Sequence, residues 1–314
     1  MNTTSLRQSI IQTLSYFDMF DMPLTREELY RWLWQPPAVS YQEFVVFLDI
    51  HDTGMPWAYV QGHYVLKKRE SLIEKKQEGG HIVHTKLQIA KKAAKKLRWI
   101  PFVRACCVCN TVAGGGVKPD SDIDVFLIIQ ERRLWVTRLL VTLVLSLFFL
   151  RRTKTRVTNK ICLSFYVTTN QQCLCHVRMP EPDIYFAYWM HHLIPVYDPD
   201  HSLGVLMEKN TWLQEYLPHA SLAHAPQSSV QIHHTRISQK VQQVFEYFFG
   251  GKRGDFFEKK TKAVQLKKMQ HNTTSLQHAG DTRVMISDSI LKFHENDRRM
   301  YYRDLWQERW NKRV

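Results

Sequence analysis

Several compact signatures of enzyme chemistry are missing from this chain. It has no Gly-x-Ser-x-Gly elbow, no Walker A loop and no Gly-x-Gly-x-x-Gly fingerprint. That excludes hydrolase, P-loop and dinucleotide chemistry of those forms. Cysteine is sparse: six residues, at 106, 107, 109, 162, 173 and 175, lie in apolar, strand-like segments rather than at disulfide-framework spacing. They read as reduced, buried thiols of a cytosolic protein. Cys173-Leu174-Cys175-His176 offers half of a metal set, and no second cluster completes it. Long apolar runs are also missing. The best, Leu134 to Leu150, is uninterrupted for only about a dozen residues after Arg138, where a spanning helix needs about 20. Arginine pairs close both its ends, so a helix buried on a sheet is favoured over peripheral membrane contact, and no membrane partner is expected. The opening MNTTSLRQSIIQTLSYF lacks the basic start and apolar stretch of a signal peptide, and a cytoplasmic location is expected. Acidic residues are outnumbered 29 to 43 by Lys and Arg, a net charge of +14. That balance points to polyanionic partners such as nucleotide phosphates or nucleic acid.

What is present suffices for a sizeable core, since 44% of the residues are hydrophobic. Apolar positions at helical spacing run over 5–20, and Asp21-Met22-Pro23 breaks them. Thr25 with Glu28 forms a capping box for a second helix, and Ser40 caps a third. Two short strands around Gln61-Gly62 then predict a hairpin. Three helices followed by a hairpin make residues 1–78 winged-helix-like. The third helix, SYQEFVVFLDIHD, lacks the Arg, Lys, Asn or Gln face that reads bases, so packing or protein docking is favoured over DNA reading. Residues 79–170 hold a basic helix and three strands, 103–109, 123–129 and 160–167, with a helix over 132–150. Residues 171–270 read as helical, opening with an aromatic-rich helix from Asp183 to about Pro195, and 271–314 as a polar segment and a terminal helix. The fold class expected is α+β, with a small mixed-sheet core between two largely helical parts.

The chemistry concentrates between the first two of those strands, over Asn110 to Asp124. Gly114, Gly115 and Gly116 allow positive φ and close backbone approach to a phosphate. Successive amides there can line an anion nest. Thr111 and Ser121 add hydroxyls and Lys118 a cation. Asp122 and Asp124, two apart at the start of a strand, place both carboxylates on one face, a Mg²⁺ site beside a triphosphate cradle. His191-His192 and the aromatics Tyr185, Phe186, Tyr188 and Trp189 read as core first and as base or stacking groups second.

The run PDSDIDVFLII resembles the nucleotidyltransferase domain of the DNA polymerase β superfamily, with Asp122 and Asp124 matching its Asp-x-Asp metal pair and Gly115 a later loop glycine. Asn110-Thr111 fall where the family has Gly-Ser. The family's third carboxylate lies on the next strand, and here that strand, KICLSFYV, has Cys162 or Ser164 instead; Asp183 or Glu181 would have to supply the acid from outside it. The resemblance implies transfer of a nucleoside monophosphate from an NTP, ATP first, to an acceptor hydroxyl on a small molecule, protein or RNA, with Mg²⁺ held by Asp122 and Asp124. The alternative is a nucleotide-sensing or DNA-binding protein with impaired turnover.

Overall fold

A computed structural model describes residues 3–51, 54–180, 182–220, 230–270, 282–294 and 296–313. The N-terminal part comprises helices α1 (Thr3–Asp18), α2 (Arg26–Arg31) and α3 (Tyr41–Ile50) with strands β1 (Leu24–Thr25), β2 (Trp57–Val60) and β3 (His63–Leu66). Both expected capping boxes form: Thr25 Oγ1 accepts from Glu28 N and Ser40 Oγ from Glu43 N. Gln61 and Gly62 both take positive φ, 47° and 80°, which suits a two-residue hairpin and sets Val60 opposite His63. The strands form an antiparallel sheet in the order β1-β3-β2.

The long helix α4 (Leu72–Leu97) leads into β4 (Val103–Val108), the short helix α5 (Asn110–Gly114), β5 (Ile123–Ile129), α6 (Leu134–Leu147) and β6 (Ile161–Thr168). Next come α7 (Ile184–His191), β7 (Ile194–Tyr197), α8 (Ser202–Glu208) and α9 (Leu213–Tyr216). Helices α10 (Arg236–Phe248) and α11 (Gly251–Gln270), strands β8 (Val284–Ile286) and β9 (Ile290–Phe293) and helix α12 (Arg299–Asn311) complete the chain. The second sheet has six strands in the order β7-β4-β5-β6-β9-β8, and β5/β6 is its parallel pair.

Because β5 is central, its side chains divide between two cores. Val125 and Leu127 pack with α4 and α6, whereas Phe126 and Ile128 pack with α7 and a core that continues into α1, α2 and α3. The N-terminal part therefore shares a core with the large sheet. Three strands depart from the expected helical C-terminal half. The helix opening at Asp183 stops at His191, and Ile194–Tyr197 pairs with β4 as an edge strand, where proline is tolerated. β8 and β9 form a hairpin that adds to β6. Each is three or four residues long, too short for periodicity to register. Helix α6 is also shorter than the expected 132–150.

Candidate metal and nucleotide site

Asp122 immediately precedes β5 and Asp124 lies within it. On the parallel neighbour β6, Cys162 stands in register with Asp124. One ligand atom each from Asp122, Asp124 and Cys162 lie within 4.8 Å of one another. Asp124 is largely enclosed, and burial first, then the charge of Asp122, raises its pKa; hydrogen bonds from Asn110 and Cys162 oppose that shift. Burial and the same two carboxylates push the Cys162 thiol far above its ordinary range. Two crowded carboxylates, one of them desolvated, favour a cation. The nearest protein cation is Arg152, whose Nε lies 3.1 Å from Asp122 Oδ2 and whose Nη1 lies 3.6 Å from Cys162 Sγ.

The strand pairing also shapes the floor. Register runs Val125↔Leu163 and then Phe126↔Phe165, so Ser164 is the extra residue of a β-bulge. Ser164 and Phe165 in consequence both line a cavity of about 520 Å³ that also contains Asp122, Asp124 and Cys162. A second cavity of about 360 Å³ is lined by Gly114, Gly115, Gly116, Lys118 and Ser121. The two share Asn110, Thr111, Tyr185, Trp189 and Tyr302, so acids and glycines open onto adjoining chambers.

Asn110 sits at φ 55°, in the left-handed region. That explains how it stands where the resembling family has glycine, because asparagine tolerates this region better than most residues. Its Oδ1 accepts a 2.8 Å hydrogen bond from Trp189 Nε1. Gly115 is required for a different reason than a phosphate. At φ 96°, a Cβ there would lie 1.8 Å from Met22 Sδ, so the glycine lets the turn after α1 close over the loop. Ser121 Oγ donates to Lys118 O at 3.0 Å, which spends this hydroxyl inside the loop. Lys118 and Thr111 are exposed at the cavity edge.

Compared with protein-family models, curated proteins and solved structures, the chain matches none.

Several residues of the site carried no signal in the sequence. Lys86 belongs to the basic helix of the 79–170 segment, where nothing singles it out, yet it is 1% exposed. Its Nζ donates to Pro119 O, Ser121 O and Asn159 Oδ1 at 3.3, 2.6 and 3.0 Å and so pins the loop before Asp122 from beneath. The far wall comes from the C-terminal hairpin and the start of α12. Lys292 and Arg299 both bind Asp297, and Arg299 Nη1 also reaches Asp183 Oδ2 at 2.8 Å. His294 lines the same wall, and burial lowers its pKa to about 4, so its ring is neutral at pH 7.

Asp183 is therefore not a third metal acid. Its carboxylate caps α7 at Phe186 N, accepts from Met179 N and pairs with Arg299. Glu181 lies outside the described residues. His191 and His192 are half-buried at the edge of the core: burial depresses them to about 4 and about 3, the His192 ring packs 4.7 Å from that of Trp32, and His192 also lines the glycine-lined cavity. Tyr188 is core too, stacked 4.0 Å from Tyr16, whereas Tyr185, Phe186 and Trp189 reach the 520 Å³ cavity. The thiols are not uniformly buried. Cys175 is exposed, Cys162 and Cys173 are half-buried, and Cys106, Cys107 and Cys109 lie in the core.

Proposed function

We propose that this chain binds a nucleoside triphosphate, ATP first, with Mg²⁺, and transfers its nucleoside monophosphate to an acceptor hydroxyl with release of pyrophosphate. The observation that carries this reading is the convergence of Asp122, Asp124 and Cys162 on one cavity that adjoins the glycine-lined chamber. Asp122 and Asp124 would hold the metal; two carboxylates suit Mg²⁺, which completes its shell with phosphate oxygens and water. The bound ion would neutralise charge on the transferring phosphoryl group. Asn110, Thr111, Gly114, Gly115 and Gly116 shape the phosphate chamber, Lys118 brings a cation to its edge, and Arg152 lines the adjoining acid cavity. Ser121 acts through loop geometry, since its hydroxyl is internally bonded. Trp189, Phe165 and Tyr302 offer apolar faces to a base or acceptor. The acceptor is a small molecule, a protein side chain or an RNA end.

Cys162 favours a second reading, nucleotide sensing without turnover, because a thiol stands where the third carboxylate would be. The N-terminal part is read as a winged-helix-like packing module rather than a DNA reader. The exposed face of α3 shows Val46 and Ile50, not basic side chains.

Calorimetric titration with ATP and Mg²⁺, paired with a pyrophosphate-release assay, tests both readings. Metal-dependent binding that Asp122→Asn with Asp124→Asn abolishes supports the site. Equal binding by the double variant removes it. Binding with no pyrophosphate released by any acceptor class selects the sensing reading.

A further inference from the structure

Helix α10 is mounted inside out. A polar stripe faces the protein: Ser238 is fully buried, Gln242 Nε2 donates to Ile100 O at 2.9 Å, and Glu246 accepts from Phe102 N and both Nη atoms of Arg104 at 2.7–3.0 Å. The apolar stripe Ile237, Val244 and Phe248, at helical spacing, faces outward, with Ile237 67% and Phe248 59% exposed. Hydrogen bonds rather than apolar packing fix this orientation. Helix α11 docks in the same manner. Glu258 accepts from Trp135 N and Val136 N at the start of α6, and Gln265 Nε2 donates to Trp135 O, while Phe256 and Val264 remain exposed. The end of α6 adds Leu143 and Leu147, the latter 72% exposed. Between α6 and α10 runs an apolar groove of about 470 Å³, lined by Trp99, Leu140, Val144, Phe148, Phe245 and Phe249. An apolar groove flanked by exposed apolar side chains marks an interaction site.

Charge identifies what covers it. Residues 236–270 contain nine Lys and Arg and three acids. All three acids are engaged with the protein: Glu246 with Arg104, Asp255 with Arg132 and Arg133, and Glu258 with backbone amides. The outward charge is accordingly cationic, with Lys240, Lys252, Arg253, Lys259 and Lys260 exposed around the apolar residues. A second copy would set these cations against their own kind. Nucleic acid would satisfy the cations but not the aliphatic Ile237, Val244 and Leu147. A surface that offers anionic headgroups above hydrocarbon satisfies both. We propose that the face formed by the end of α6, α10 and α11 docks the protein peripherally on an anionic lipid bilayer. No described helix is long and apolar enough to cross it, so the contact is interfacial.

The test is co-sedimentation of the full chain with vesicles of phosphatidylcholine alone and of phosphatidylcholine mixed with phosphatidylglycerol. The wild type pellets with the mixed vesicles and stays in solution with the neutral ones. Leu147→Ser with Ile237→Ser and Phe248→Ser lowers the partition constant at least roughly tenfold, because side chains that would leave water are lost. Lys252→Gln with Arg253→Gln lowers it roughly twenty-fivefold, at about fivefold per cation near the surface. Unchanged circular dichroism shows that the variants fold, and unchanged binding by Asp122→Asn separates this surface from the nucleotide reading. Equal partition onto neutral and anionic vesicles, or variants that bind as the wild type does, overturns the proposal. So does a solution dimer that the triple variant splits into monomers, which would assign the face to a second copy.

Discussion

Cys162 and Asp124 face each other in register across the parallel pair β5 and β6. Under the proposed nucleotidyltransferase reading, the thiol takes the place of a third carboxylate. Cys162→Asp is expected to raise pyrophosphate release roughly a hundredfold, at the low end of what one positioned acid or base contributes. Cys162→Ser should leave Mg·ATP affinity within about twofold. A Cys162→Asp variant that binds Mg·ATP but turns over no faster than the wild type would mean that the third position is not what limits the chemistry.

A Cβ on Gly115 would lie 1.8 Å from Met22 Sδ, so the Met22 side chain would have to move, and the φ of 96° is itself unfavourable for other residues. Gly115→Ala should destabilise the protein by roughly 2–4 kcal/mol through backbone strain and overpacking. Urea denaturation reads the loss. Pairing it with Met22→Ala should recover the overpacking part but not the backbone part. Full additivity of the two substitutions would mean that the contact is not the cause.

Arg299 holds two buried carboxylates, Asp183 and Asp297. Arg299→Met retains most of the volume and removes the charge. It should cost about 3–5 kcal/mol by leaving buried carboxylates without their main partner, although Lys292 remains beside Asp297. A loss below about 1 kcal/mol in thermal or urea unfolding would show that the network is more hydrated than its burial implies.

His191 and His192 give the fold an acid limit. An ordinary histidine titrates near 6.5, and burial lowers these two to about 4 and about 3. Folded pKa values below the unfolded one mean that unfolding takes up protons. The stability they contribute is present above pH 6.5 and is lost as pH falls toward the folded values. For His191 the full effect is roughly 3 kcal/mol at about 1.4 kcal/mol per pKa unit. Replacing His191 with Gln should flatten the decline in urea midpoint between pH 6.5 and about 4.5, measured against the wild type. An identical slope would place the ring in water.

The sequence legibly carried the local chemistry and the strongly periodic elements. Thr25 and Ser40 cap the helices their spacing indicates, and Asp122 and Asp124 share a face because alternate strand residues must. What escaped depends on long-range pairing. Lys292 sits on a four-residue strand with His294 just past its end, and nothing in ILKF announces that it adds to β6 more than 120 residues earlier. Lys86 looked like one cation among many, because its burial is set by a loop some 35 residues away. Asp183 looked available because its partner, Arg299, is 116 residues distant.

The pairing of β9 with β6, together with the hydrogen bond from Trp306 Nε1 to Gln12 O, has a consequence for the order of synthesis. The Asp122–Asp124 strand leaves the ribosome long before residues 292–294 and 296–299, which wall its cavity, and α12 then returns to the first helix. A nascent chain that carries only the acids and the glycine loop has no enclosed chamber. If the proposed nucleotide site is right, capture of the nucleotide is deferred until translation of this stretch is finished, and fragments truncated ahead of β9 should neither bind it nor be stable.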